Sequence, residues 1–299
     1  GSGSGTPGAF IEENGLVVIE MENNPGISGN WKTNATTTTS DNINDPGSAT
    51  GGDFIVWEAA QNLGNPGVGL LTYPVEITTP GVYRFQWRNQ VGLGTSSTEH
   101  NDTWLKIEAD AFYGEKNNGS SIVCPNGLDP AQNDCTGTTT LNGSSGDGWF
   151  KIYASQGTNW GWSTFTSDND GHLIYARFDQ PGTYNILVSA RSSSHVIDRM
   201  VLSLDSQYSA SAGQNLSLPQ SSQNTDVTPG ASANSPYDVT VTVSDQCDPA
   251  LSSQVNFSWN ITAEPVGNPE AFVSATAGAG LAASTFDNNS FLIQNTGDD

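Results

Sequence analysis

The sequence is poor in basic residues. Nine Lys and Arg stand against 31 Asp and Glu, which gives a formal net charge of −22 at pH 7. This charge repels polyanions, so it excludes nucleic acid as a partner. It accommodates a metal ion or a neutral or cationic ligand more easily, and it is equally consistent with simple solubility in a salty exterior. All nine basic residues lie between Lys32 and Arg199, and this shift in composition predicts a boundary just after residue 200.

Several motifs that would indicate catalysis are missing. The sequence contains no Gly-x-Ser-x-Gly elbow, no His-Glu-x-x-His zinc motif and no phosphate loop, and its three histidines are few for metal or general-base chemistry. No apolar run approaches the ~20 residues of a membrane span. The opening Gly-Ser-Gly-Ser-Gly is typical of a linker or cloning remnant, so we expect a piece of a longer protein.

Cysteine is also scarce, and its spacing fits no zinc site. Cys124 and Cys135 enclose a turn-rich loop that a disulfide could close in an oxidising compartment. Cys247 would then be left unpaired. This arrangement favours a secreted or cell-surface protein.

What the sequence does have is many short strand-like runs separated by turn signals. Residues 82–88 alternate strictly between apolar and polar side chains after a Pro-Gly turn, and similar runs recur up to residue 204. About nine or ten strands in ~200 residues suit a β-sandwich or jelly roll. The expected fold is therefore all-β, a jelly-roll sandwich followed by a small Ig-like or partial β segment.

The expected domain organisation follows from composition along the chain. It comprises a linker or remnant at 1–9, a β-sandwich at 10–207, a polar linker at 208–235, Ig-like strands at 236–265, and the start of a further β domain at 266–299.

Two strand-like segments of the sequence are weakly similar to each other. Pro80-Gly81 and Pro181-Gly182 each precede a strand that is followed by a polar loop containing a His and an Asp. Pro-Gly turns commonly begin strands, which explains the similarity without function. Alternatively, both loops emerge at one end of the sandwich and converge on a site.

Glu20 and Glu22 are the first candidate metal ligands. Residues i and i+2 of a strand share a face, so the two carboxylates would lie close together and repel each other unless a cation intervenes. Hard oxygen ligands of this kind suit Ca²⁺. The alternative is a solvent-exposed strand face. A catalytic pair is disfavoured, because neighbours on one strand rarely straddle a glycosidic bond.

Two motifs carry a resemblance to a known family. Val17-Val18-Ile19-Glu20-Met21-Glu22-Asn23 resembles the "IEAEN" opening of the calcium-bearing β-sandwich carbohydrate-binding modules of families six and thirty-five, with Met in place of the usual Ala. Residues 196–202, Val-Ile-Asp-Arg-Met-Val-Leu, resemble their closing motif. Residues 10–22 are also similar to the C-terminal sandwich of some xylan-active glucuronidases. The resemblance covers residues 10–205 only, and the Cys124–Cys135 loop departs from it as an insertion.

The resemblance implies a structural Ca²⁺ that joins the first strand of the domain to the last. Its ligands would be Glu20, Glu22 and Asp198. It also implies a polysaccharide or cell-surface glycan as the partner.

Aromatic and polar residues supply the candidate sugar contacts. Tryptophan rings stack on sugars, while Arg, Asn, Asp and His bind hydroxyl groups. Alternation places Trp160 and Trp162 on one face of an extended segment, although core packing would explain any of these tryptophans equally well. The full set of candidates is Trp149, Trp160, Trp162, Arg88, His100, Asn101, Asp102, Arg191 and His195.

Three functions remain open on the sequence. The leading hypothesis is a non-catalytic, monomeric carbohydrate-binding module of a larger secreted enzyme or surface adhesin. A β-sandwich polysaccharide lyase or hydrolase is the second, with Arg88, His100, Arg191 and His195 as candidates for its chemistry. A structural or protein-interaction spacer is the third.

Overall fold

A computed structural model describes residues 8–38, 48–116, 118–135 and 139–224, together with the backbone of 237–244 and 252–259. The chain divides into two units after Asp226. Within the described residues no helix is long and apolar enough to cross a membrane.

The first unit is built almost entirely from β-strands. They are β1 (Phe10–Ile11), β2 (Leu16–Glu20), β3 (Trp31–Thr33), β4 (Ile55–Trp57), β5 (Leu71–Ile77), β6 (Gly81–Val91), β7 (Asp102–Ile107), β8 (Ala111–Lys116), β9 (Ser121–Val123), β10 (Ser145–Gly146), β11 (Trp149–Tyr153), β12 (Leu173–Phe178), β13 (Gly182–Ser189) and β14 (His195–Leu204). A 3-10 turn at Thr50–Gly52 and one helical turn, α1 (Ala210–Gly213), complete the regular structure of the described part.

The strands form two sheets. The first sheet has the order β1-β5-β13-β7-β11-β10, and the second has the order β3-β4-β14-β6-β12-β8-β9, with β2 also paired to β14. At their centres lie β5-β13-β7-β11 and β4-β14-β6-β12. The chain crosses repeatedly between these two groups, which is the connectivity of a jelly roll. The expected all-β sandwich is therefore confirmed.

The core lies between the sheets because strand side chains alternate between faces. In β6, Tyr83, Phe85 and Trp87 are buried in the main apolar cluster. The intervening Arg84, Gln86 and Arg88 lie on the outer face of the second sheet. The alternation seen in the sequence at 82–88 thus separates core from surface.

The disulfide loop covers part of that outer face. Cys124 and Cys135 form a disulfide with their Cα atoms 5.9 Å apart. Cys135 packs in a small apolar cluster with Ala111, Tyr113 and Tyr175. The insertion therefore covers apolar surface on β8 and β12 that the jelly roll alone would leave exposed.

The sandwich extends beyond the expected boundary at residue 207. The amide of Ser221 donates to the Val18 carbonyl over 2.8 Å, and Ile11 donates to the Ser222 carbonyl over 2.8 Å. Residues 208–224 are therefore part of the first unit rather than a linker. The polar composition of residues 208–224 wrongly predicted a linker, because backbone hydrogen bonds can hold a polar segment in place without apolar side chains. At the other end Ala9, assigned to the leading linker, is fully buried.

In the second unit the structure describes one hairpin. β15 (Tyr237–Ser244) pairs with β16 (Ser252–Trp259) in antiparallel register, with Tyr237 opposite Trp259 and Ser244 opposite Ser252. The two strands predicted at 236–265 are therefore present. Residues 1–7, 225–236 and 266–299 and Cys247 lie outside the described residues.

Candidate functional site

A cleft of about 390 Å³ lies on the outer face of the second sheet. Its floor is β6 and its walls are the segment before β12 and the turn after α1. It is lined by Arg84, Phe85, Gln86, Ser155, Trp162, Ser163, Thr164, Phe165, Leu173 and Gln214. Clefts of this size that combine aromatic and polar side chains are typical of sites for small ligands.

The aromatic wall is held in place by backbone pairing with β6. Strand β12 pairs with β6 only as far as Phe85. Beyond that point Asn89 and Gly161 exchange two backbone hydrogen bonds of 2.9 and 3.0 Å. This pairing fixes the segment that carries Trp160 and Trp162 alongside the strand.

Both tryptophans lie over the outer face of the second sheet, as their alternation predicts. Trp162 lines the cleft and is partly exposed. Trp160 covers the Arg88 guanidinium, whose carbon lies 4.8 Å from the ring centroid, and packs against Phe54. Trp162 is therefore the better placed of the two to contact a ligand.

Two buried polar atoms in the cleft have no hydrogen-bond partner. They are Nε of Arg84 and Oε1 of Gln86. The other four arginines of the chain form ion pairs with carboxylates, whereas Arg84 forms none in the described part of the chain. They are two of nine buried side-chain atoms without a partner in the described part of the chain, so they mark polar groups beneath the cleft that the protein itself does not satisfy.

Asp102 and Arg191 form a buried ion pair with each other. The guanidinium carbon of Arg191 also lies 5.0 Å from the Trp104 ring centroid, and the Ser192 hydroxyl donates to Asp102 over 2.5 Å. Their charges are therefore used within the protein and hold two loops together. Arg88 is similar, because it is ion-paired with Asp198 and donates to the Ser48 carbonyl.

The two histidine-bearing loops do meet at one end of the sandwich. Gly92 donates to the Ser194 carbonyl over 2.8 Å, and Nδ1 of His100 lies 2.7 Å from the Ser193 carbonyl oxygen. Asn101 donates to two carbonyls, those of Ser97 and Ala154. The contacts at this junction tie loops to one another.

His195 lies in the interior, where no ligand reaches it. It is 1% exposed, its Nδ1 lies 2.8 Å from the Thr103 hydroxyl and its Nε2 lies 3.2 Å from the Asn89 side-chain oxygen. Burial lowers the pKa of His195 to about 4, against a smaller opposing effect of Asp102. Trp149 is also buried, at 7% exposure, and belongs to the first sheet, whereas the cleft is on the second.

The predicted metal ligands form a second polar region, which we call the carboxylate cluster. The Thr50 hydroxyl is 2.8 Å from Oε2 of Glu20 and 2.9 Å from Oδ1 of Asp198. A Cβ added at Gly51, whose φ is +69°, would lie 2.7 Å from Oε1 of Glu22. The 3-10 turn therefore brings Glu20, Glu22 and Asp198 together, and it requires glycine at its centre.

Two arginines already neutralise part of the cluster. Glu20 is ion-paired with Arg199, and Asp198 with Arg88. Oε2 of Glu22 is buried and has no hydrogen-bond partner. Among the described residues, no three acidic, His or Cys side chains form a ready-made metal site.

The arrangement of the carboxylate cluster disfavours the ionised form of Glu22. Burial, together with the charges of Glu20, Asp53 and Asp198, raises the pKa of Glu22 to about 7. Burial also raises the pKa of Asp198, in spite of the hydrogen bonds from Arg88 and Thr50. Glu20, Glu22, Asp53 and Asp198 outnumber the two guanidinium groups, but a Glu22 with this pKa is only partly ionised near neutral pH. The unpaired acidic oxygens are donors of the type that suits Ca²⁺.

Of the ten residues that line the cleft, only Trp162 is a candidate predicted from the sequence. Arg84 and Gln86 stand in the same alternating run as Arg88, so strand periodicity was the signal that placed them on one face. Gln214 had no comparable signal, because it follows the sandwich in a segment whose composition resembles a linker.

Comparisons with known proteins give little further information. No family model and no curated protein matches the sequence. Among solved structures the chain is similar to a β-(1,4)-mannanase of Podospora anserina described as GH26-CBM35, with 12% identity and a TM-score of 0.33. The match covers 64% of this chain and 28% of the mannanase, so it spans little more than a quarter of that protein. A similarity of this size carries no argument about ligand or activity.

Proposed function

We propose that this chain is a non-catalytic carbohydrate-binding module that binds a polysaccharide or cell-surface glycan in the cleft. The observation that carries the proposal is that the partly exposed Trp162 ring lines one cleft together with polar side chains, among them Ser163 and Gln214. Sugar rings offer C–H faces for stacking and hydroxyl groups for hydrogen bonds. The cleft provides both kinds of contact.

Binding without turnover is supported by the composition of the cleft. None of its ten lining residues is an Asp, Glu, His, Lys or Tyr, so it lacks the paired carboxylates of a glycosidase. Arg88, His100, Arg191 and His195, the groups considered for a lyase, all contact other groups of the protein.

We assign Ca²⁺ to the carboxylate cluster as a structural ion. Glu20, Glu22 and Asp198 would hold it, and the fit of charge and donor type supports the assignment. Glu20 ends β2, Asp198 lies in β14 and Glu22 lies in the turn that follows β2, so the two glutamates do not share a strand face as the sequence predicted. A bound ion would stabilise the pairing of β2 with β14 by binding only the folded form.

The cellular setting is proposed on chemical grounds. The Cys124–Cys135 disulfide suits an oxidising compartment, and the acidic surface suits an extracellular one. We propose a secreted or cell-surface location, in which the sandwich serves as a monomeric module of a larger enzyme or adhesin.

The proposal is tested by a binding screen against immobilised polysaccharides and glycans, with calcium and with EDTA. Binding without product formation is expected. Trp162→Ala should weaken that binding about tenfold, and Trp162→Phe should weaken it less because a ring remains. Leu70→Ala, an exposed apolar residue outside the cleft, is the control.

The alternatives give different results. Release of sugar products would establish an enzyme instead. Failure to bind any glycan in either condition would support the spacer. Binding that Trp162→Ala leaves unchanged would place the glycan elsewhere on the surface.

A further inference from the structure

We propose that Asn89 is the residue that positions the aromatic wall of the cleft, and that it does so without touching the ligand. The inference rests on the proposed function and adds how Trp162 and Ser163 are held ready for a glycan. Asn89 lies in β6, directly after Arg88, and is 0% exposed.

The wall is attached to Asn89 on both sides of Trp162. Before the ring, Gly161 exchanges two backbone hydrogen bonds with Asn89, of 2.9 and 3.0 Å. After it, the side chain of Asn89 donates from Nδ2 to the Ser163 carbonyl over 3.0 Å. One residue of β6 therefore fixes the backbone immediately before and immediately after the residue that carries the ring.

The neighbours of Asn89 allow only one orientation of its side-chain amide. Nδ2 lies 3.0 Å from the Ser163 carbonyl oxygen and 3.1 Å from the Trp87 carbonyl oxygen, and both oxygens can only accept. The reverse orientation would place Oδ1 against these two acceptors. Oδ1 therefore lies on the other side, 3.0 Å from Nε2 of Gln156 and 3.2 Å from Nε2 of His195.

The same reasoning assigns the groups that donate to Oδ1. Nε2 of Gln156 also lies 2.7 Å from the main-chain carbonyl oxygen of Asn89, which only accepts, so Nε2 is the donor. His195 must then carry its hydrogen on Nε2, while its Nδ1 accepts from the Thr103 hydroxyl 2.8 Å away. Both N–H groups and both lone pairs of the Asn89 amide are used within the protein, so Asn89 acts on a ligand only through the wall.

The wall supplies several of the side chains that line the cleft. They are Ser155, Trp162, Ser163 and Thr164. The hydroxyl groups of Ser155 and Ser163 lie 2.7 Å apart, and the Thr164 hydroxyl donates to the Trp87 carbonyl over 3.3 Å. Side chains that are held in place before the ligand arrives lose less conformational freedom on binding. Loosening the wall should therefore weaken binding even though every residue that faces the ligand is kept.

The test is Asn89→Leu, which keeps the approximate size of the side chain and removes its hydrogen bonds. The chain is labelled with 5-fluorotryptophan, and the fluorine resonance of Trp162 is identified by its absence in Trp162→Phe. We expect that resonance to shift or broaden in Asn89→Leu, while the resonance of Trp104, buried in β7 of the first sheet, stays unchanged. Binding to galactomannan and xyloglucan, measured by affinity electrophoresis, should weaken about tenfold.

Two further variants separate positioning from stability. Asn24→Leu is the matched control, because Asn24 is 9% exposed and its side-chain amide forms two hydrogen bonds to the main chain, each of 2.8 Å. It should lower the melting temperature and leave both the Trp162 resonance and glycan binding unchanged. Gln156→Met removes a partly exposed donor to Asn89 and replaces Asn89→Leu if that variant does not fold. It should change both readouts in the same direction, with binding weakened about threefold.

Each result decides the inference. A folded Asn89→Leu with an unchanged Trp162 resonance would overturn it and leave carbohydrate binding intact. Unchanged binding in spite of an altered resonance would overturn it as well, and so would an equal loss of binding in Asn24→Leu. If the unmodified chain bound neither polymer nor any glycan of the wider screen, the proposed function would be wrong. The Trp162 resonance would then still decide whether Asn89 holds the ring.

Discussion

The carboxylate cluster and the cleft lie on the same face of the same sheet and share strand β6. They differ in whether their polar groups are paired within the protein. In the cluster, Arg88 and Arg199 neutralise Asp198 and Glu20, and only Glu22 is left with an unpartnered oxygen. In the cleft, Nε of Arg84 and Oε1 of Gln86, four and two residues before Arg88 in β6, are buried without a hydrogen-bond partner. The comparison separates charged groups that are paired within the fold from polar groups that the fold leaves unpaired.

The largest effect should come from breaking the cluster. Asp198→Ala would leave the Arg88 charge buried without a partner, and removing one member of a buried ion pair costs about 3–5 kcal/mol. Urea unfolding measures the loss. Asp179→Ala removes an exposed partner of Arg177 and should cost less than about 1 kcal/mol. Equal losses in the two variants would mean that Asp198 adds no more to stability than a surface charge.

Acid should destabilise the sandwich through His195. The folded-state pKa of about 4 lies below the ordinary 6.5, so the unfolded chain binds the proton first as the pH falls. Stability contributed by the neutral imidazole is complete above pH 6.5 and is lost between about 6.5 and 4, for a total of about 3 kcal/mol.

Nuclear magnetic resonance titration of His195 checks the pKa directly, and unfolding measured across that pH range checks the energy. A His195 that titrates near 6.5 would show that its site is hydrated.

A smaller effect, that of Glu22→Gln, should distinguish the contribution of bound calcium to stability from that of the fold alone. Without calcium, the raised pKa of Glu22 means that its ionised form destabilises the folded chain increasingly as the pH rises from about 4.5 through 7. Glu22→Gln should therefore stabilise the EDTA-treated chain at pH 8 by about 2 kcal/mol, after a discount for partial exposure. Calcium should raise the melting temperature of the unmodified chain and not of this variant.

The same calcium shift in both chains would show that Glu22 is not a ligand. If calcium shifts the melting temperature of neither chain, the carboxylate cluster does not bind the ion. Glu22 is then a buried acid whose charge nothing compensates.

Strand periodicity was informative wherever one face of a strand packs against the core. The alternation at 82–88 placed Tyr83, Phe85 and Trp87 in the interior and left their polar neighbours outside, and the spacing of Cys124 and Cys135 matched the bond that they form. The same reasoning could not rank polar residues against one another. In the sequence, His195 and Arg191 are polar residues of the same kind as Arg84. What buries them is contact with loops that are distant in sequence.

By itself, the sequence determined that the chain is all-β, that its core follows an alternating pattern and that its net charge is strongly negative, because these properties depend on composition and on local repeats. Only the tertiary structure decided that residues 208–224 complete the sandwich, that two arginines enter the carboxylate cluster and that Arg84, Gln86, Trp162 and Gln214 meet in one cleft. Those contacts join residues far apart along the chain, and a side chain without a partner can be recognised only when all of its neighbours are in place.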